Sequence, residues 1–195
     1  MSITRSPRAR QVGDAAITVL ASQGTRGLTH RAVDAAGQLP PGSTSNYART
    51  RIALLTLALA RIAELDTAEG MEAVGGYPES VPALTEALTL ALHRMLTDEA
   101  ARRRLLARFE LAFEATRRPE LRAVYDEMGR GFREHVARLL AAAGAGDPDR
   151  GAWTLIAWME GTAFYALAGA GRTAIPTTGE LRLQLGQLIA GICRA

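Results

Sequence analysis

Apolar residues in this 195-residue chain recur at helical spacing, and no stretch alternates with period two over the length of a strand. Alanine, leucine and arginine dominate and β-branched runs are scarce, so helix formers fill nearly every window. The sequence therefore predicts an all-α protein, and its punctuation divides it into about nine helices. Ser6-Pro7 offers a cap followed by proline at the first helical position, and Val12, Ala16, Val19 and Leu20 then share a face until Gly24 stops the helix. Thr29 caps a second helix ending at Gly37, Pro41 starts a third running to about Ala48, and Thr50 caps the fourth. Helix four carries Ile52, Leu54, Leu55, Leu57, Leu59, Ile62 and Leu65, so most of its circumference should be buried. Helices five to seven are expected at about 81–97, 98–117 and 118–143, helix eight from Asp147-Pro148, and the last from a capping box at Thr177 and Glu180.

The net charge of +3 conceals an asymmetry. Residues 1–51 hold seven arginines against Asp14 and Asp34, a balance of +5, while the remainder carries sixteen arginines against eighteen acids, a balance of −2. Charge concentrated at one end favours a polyanion, because each neutralised phosphate releases condensed counterions. All 23 cationic residues are arginine, a bias spread over the whole chain that marks no particular site.

The segment from Gly24 to Leu55 reads as two short helices joined by a tight turn. Such a unit places its second helix in a DNA major groove while the first crosses the backbone. The third helix should expose Ser43, Thr44, Ser45, Asn46 and Tyr47, whose hydroxyls and amide can contact base edges or phosphates. Thr50 with Arg51 stands at a helix start, where free N–H groups attract phosphate. Arg5, Arg8, Arg10 and Arg31 extend the basic surface. The expected division is a helix-turn-helix domain over 1–50 and a helical regulatory and dimerisation domain over 51–195.

The pattern Gly24-x4-Thr29-x3-Val33-x2-Ala36-Gly37, then Gly42-Ser43-Thr44, Tyr47, Arg51 and Leu54-Leu55, resembles the N-terminal domain of the tetracycline-repressor (TetR) family over about residues 8–60. In the second half, the resemblance rests on helix count and on the stretch from Arg108 to Leu121. It implies a phosphate contact at Thr29, a recognition helix over Ser43 to Tyr47, and a cation at Arg51 where the family has lysine. Three departures stand out: one additional residue between Gly37 and Gly42, Ser45 in place of a tyrosine, and Ala48 in place of a phenylalanine. The last removes a large core side chain, so either a neighbour fills the gap or this small domain packs more loosely.

The resemblance further implies a ligand chamber formed by helices four to seven. Phe109, Phe113, Tyr125, Met128, Phe132 and Trp158 are its candidate lining, with Arg61, His93 and Glu110 as polar handles. Helix eight is apolar nearly all round and Gly161 permits close approach. Trp153, Gly161 and Phe164, with Leu181, Leu185, Leu188 and Ile192 on the last helix, are therefore the expected homodimer interface. The function so implied is a ligand-responsive regulator that binds a palindromic double-stranded DNA operator as a dimer, represses, and is released by a small-molecule effector.

The alternative is a helical adaptor or small-molecule-binding protein without sequence-specific DNA binding. Catalysis is disfavoured, because His30, His93 and His135 lie in different helices without metal-ligand spacing and no phosphate loop or nucleophile elbow is present. Neither a metal nor a cofactor is expected. The single Cys193 fits a reducing compartment, and no apolar leader is visible, so the expected setting is cytoplasmic. Trp153 to Gly171 is interrupted by Glu160 and reads as a buried helix rather than a membrane span.

Overall fold

The computed structural model describes residues 6–74, 76–171 and 174–194. Arg5, named in the sequence reading, lies outside them. Among the described residues the chain forms eight α-helices and one 3-10 turn, with no strand. The helices are α1 (Pro7–Gly27), α2 (His30–Ala36), α3 (Arg51–Val74), α4 (Val81–Thr97), α5 (Glu99–Ala115), α6 (Pro119–Ala142), α7 (Pro148–Leu167) and α8 (Thr178–Arg194). The 3-10 turn, Thr44–Asn46, stands where a third α-helix was expected.

Local capping chemistry sets most of these boundaries. Side-chain oxygens of Ser6, Thr29, Thr50, Ser80, Asp98 and Asp147 each accept an N–H from the first turn that follows. The box at the start of α8 is reciprocal: Glu180 accepts the Thr177 N–H at 2.8 Å, and Thr177 Oγ1 accepts the Glu180 N–H at 3.2 Å. Gly24 does not end α1 outright. It breaks the helix at φ +66°, ψ −174°, and one further turn carries the chain to Gly27. That conformation is open to glycine, and the Glu110 carboxylate closes over the same spot.

The chain packs as two compact units. The first joins residues up to Asp66 with Arg103–Met128, so the division does not follow the expected boundary at residue 50. Its core contains Val12, Ala16 and Leu20 of α1, Val33 of α2, Leu54, Leu55, Leu57 and Ile62 of α3, and Leu111 of α5. The apolar first half of α3 belongs to the same core as the N-terminal helices, which is why position 50 is not a packing boundary. Arg61 straps α3 to α1: it donates to Asp14 at 2.8 Å and to Glu64 at 3.0 Å, and Gly13 leaves room for its stem.

The second unit comprises Thr67–Arg102 and Gly129 onward. Leu84 and Leu88 of α4, Leu139 and Leu140 of α6, Leu155 of α7 and Leu185 and Ile189 of α8 form its core. No described helix is long and apolar enough to cross a membrane.

Candidate nucleic-acid interface

The segment between α2 and α3 is held by one buried carboxylate. Asp34 accepts the Thr44 N–H at 2.8 Å, the Thr44 hydroxyl at 2.6 Å and the Gly42 N–H at 2.7 Å. Burial opposes ionisation of Asp34, but these hydrogen bonds and the nearby His30 outweigh it and hold the carboxyl below its usual range. His30 Nε2 donates to the Ala48 carbonyl at 2.5 Å, fixing the far end of the same segment.

Gly42 at φ +86° bars a regular helix from starting at Pro41, which explains the shortened element. Three-residue spacing follows, with Asn46 N–H on Ser43 and Tyr47 N–H on Thr44, before Ala48 N–H closes on Thr44.

The result is a short outward lip. Ser45, Asn46 and Tyr47 are exposed, as are Arg8, Thr29, Arg31 and Thr50. Two expectations are corrected. Thr44 is fully buried, because both its N–H and its hydroxyl are spent on Asp34. Arg51 turns inward and donates to the carbonyls of Leu28 at 2.9 Å and Thr25 at 2.5 Å, capping the end of α1. Ser43 is half-buried and donates to Pro40 O at 2.6 Å.

Leu39, supplied by the lengthened turn, is buried in the same core cluster as Ala48. It gets there by a Schellman closure, Leu39 N–H to Asp34 O and Gln38 N–H to Ala35 O, with Gln38 rather than a glycine at φ +52°.

The expected ligand-lining residues divide between the units. In the first, Tyr125 and Met128 pack on the core, Phe109 is half-buried and Phe113 is exposed. Glu110 is not a free handle: it accepts the Thr25 N–H at 3.2 Å beside the Gly24 break. Nor is Arg61, which Asp14 and Glu64 hold in place. In the second unit, His93 is half-buried and Phe132 is exposed. Trp158 and Gly161 line one cavity of about 490 Å³ together with Tyr165 and Gln184.

On α7, Trp153 is 67% exposed, and Phe164 and Tyr165 are also exposed. Leu181 and Leu185 leave the expected interface because both are fully buried in the core of their own unit. Leu188 and Ile192 are half-buried at the edge of that core. The outer face of α8 presents Leu183 instead, at 63% exposure.

Residues 79–191 match the family model of the tetracyclin repressor-like C-terminal domain. A TetR-family member from Streptomyces coelicolor A3 is 30% identical, with a TM-score of 0.72 over 94% of this chain and 98% of its own. This chain belongs to the TetR family. A transcriptional regulator from Rhodococcus sp. Rha1, 22% identical, shares the fold at a TM-score of 0.77 over 95% of this chain and 96% of its own. The multidrug binding protein EbrR in complex with ethidium is 30% identical, with a TM-score of 0.66 over 94% and 99% of the two chains. No curated protein sequence matches significantly.

As a TetR-family protein, the chain is a DNA-binding, ligand-responsive transcriptional regulator and not an enzyme. What the sequence reading missed in this TetR head is Asp34. The available signal was one of the two acids in the basic N-terminal segment, eight residues before a glycine and ten before a threonine whose amides needed a partner.

Proposed function

We propose that this regulator binds a near-palindromic operator as a homodimer, represses transcription there, and is released by a small-molecule effector. The observation that carries the reading is the outward lip Ser45-Asn46-Tyr47, fixed from behind by Asp34 within a basic N-terminal segment. In use, the lip enters the major groove, where Asn46 can pair with an adenine edge and the hydroxyls with bases or phosphates. Thr29, at the start of α2, and exposed Arg8 and Arg31 supply backbone contacts. Arg51 acts by holding the end of α1 in place, so its contribution to DNA binding is indirect.

Exposed Trp153 on α7, with the small Gly161 on the same helix and exposed Leu183 on α8, supports pairing of two copies. A two-fold dimer presents its lips to successive major grooves, about 34 Å apart. An effector shifts the balance between DNA-competent and incompetent states only through its differential affinity, commonly about 1–3 kcal/mol. EbrR has been captured with proflavin, ethidium and malachite green. Aromatic cations of that kind are the first effectors to screen, with Trp158, which lines the second unit's cavity, as the candidate aromatic contact. A regulator of this kind works where its DNA is, in the cytoplasm.

The test is a gel-shift titration against the DNA flanking its own gene, with and without dye. Dimer-stoichiometric binding tighter than to random duplex, relieved by a dye, supports the proposal. Equal affinity for both duplexes counts against it.

A further inference from the structure

Within the first unit, the end of α1, the start of α3 and the turn from α5 to α6 border an open basin of about 680 Å³. Its lining is Thr25, Arg26, Arg51, Glu114, Arg117 and Arg118. Four guanidiniums therefore face one carboxylate. Glu114 is shared between Arg118 at 2.5 Å and Arg117 at 3.1 Å, so it offsets one of those two charges and not both. The guanidinium of Arg51 is held by two neutral carbonyls, which fix its position without cancelling its charge. Arg26 is exposed in the last turn of α1. Arginine forks gathered around an open basin can match a phosphate group bidentately.

We infer that this arginine basin is a phosphate-binding site, separate from the Ser45–Tyr47 lip. The inference goes beyond the proposed function and stands whether or not the chain reads an operator. Arg51, held on its two carbonyls, supplies fixed positive charge behind the site, and Arg26 and Arg117 contact the ligand, while Glu114 keeps Arg117 and Arg118 oriented. Two sources present this chemistry: a free phosphorylated small molecule, and the sugar-phosphate backbone of bound DNA.

Calorimetric titration of the full chain with inorganic pyrophosphate is the direct test, using Arg26→Gln/Arg117→Gln and, as a charge-matched control, Arg94→Gln/Arg133→Gln in the second unit. All four side chains are exposed, so neither double variant threatens the core. The expected result is saturable binding by the parent, weakened about tenfold or more in the first variant and changed less than about twofold in the control, as loss of two charge-assisted contacts implies.

Salt dependence on random duplex then assigns the source. If the ligand is the DNA backbone, the log–log slope of the first variant falls by about 2, since each phosphate contact contributes about 0.9. If it is a free phosphorylated ligand, the slope is unchanged. No saturable pyrophosphate binding by the parent chain, or equal weakening in the control variant, overturns the inference.

Discussion

Replacing Asp34 by alanine removes three hydrogen bonds at once, and the structure sets the size of the loss. The two made by Thr44 are fully buried, so neither its N–H nor its hydroxyl regains a partner from solvent. The third involves Gly42, which is exposed and can turn to water. Hydrogen bonds to a charged group contribute about 1.5–3 kcal/mol each, so the two buried ones set a loss of about 3–6 kcal/mol. Asp34→Asn keeps one acceptor oxygen for Thr44 and should lose about half as much.

The sign of the pH dependence follows from the depressed carboxyl. Its contribution is complete above the ordinary unfolded value of about 3.9 and is lost as pH falls through the lower folded value. The gap between the parent protein and Asp34→Ala should therefore be flat from pH 6 to 8 and close below about pH 4. Hydrogen exchange at the Thr44 amide reads this segment alone, and urea unfolding reads the whole chain. A Thr44 amide equally protected in both proteins, or a gap that persists unchanged in acid, would refute the reasoning.

Arg51→Met should cost about 1–3 kcal/mol, because two carbonyls at the end of α1 lose a charged donor; thermal unfolding checks this, and Arg51→Lys should rescue it incompletely for want of a fork. Gln38→Gly should stabilise by up to about 1 kcal/mol by relieving a left-handed residue, whereas Gly24→Ala should destabilise by about 1–3 kcal/mol; urea midpoints distinguish the two signs. Leu185→Ala should cost about 2–5 kcal/mol in the protomer, while Phe164→Ser should leave protomer folding intact and raise the dimer dissociation constant, as sedimentation equilibrium would show.

What the sequence disclosed was the chemistry that acts over one turn. Ser6, Thr29, Thr50 and the Thr177–Glu180 box cap helices where their spacing placed them, because capping is decided within four residues. The apolar stripe of α8 was equally legible as a stripe. Which body it faces was not: Leu181 and Leu185 turned to their own unit and left Leu183 outside, a choice made by tertiary packing. Arg51 shows the same limit. At a helix start its charge suggested phosphate, yet carbonyls 23 and 26 residues earlier in the chain captured it. Asp34 was hidden for a related reason, since its partners lie across a turn whose length and left-handed Gln38 no local pattern announces.

Asn46 carries the central claim, and it can be isolated. Asn46 is exposed, so Asn46→Ala leaves the core untouched. Quantitative binding of the parent chain and of Asn46→Ala to upstream DNA and to random duplex, at one fixed salt concentration, gives two affinity ratios. The account predicts that the variant loses about 1–3 kcal/mol on the specific site and almost nothing on random sequence. Identical losses on both duplexes, or none on either, would contradict it.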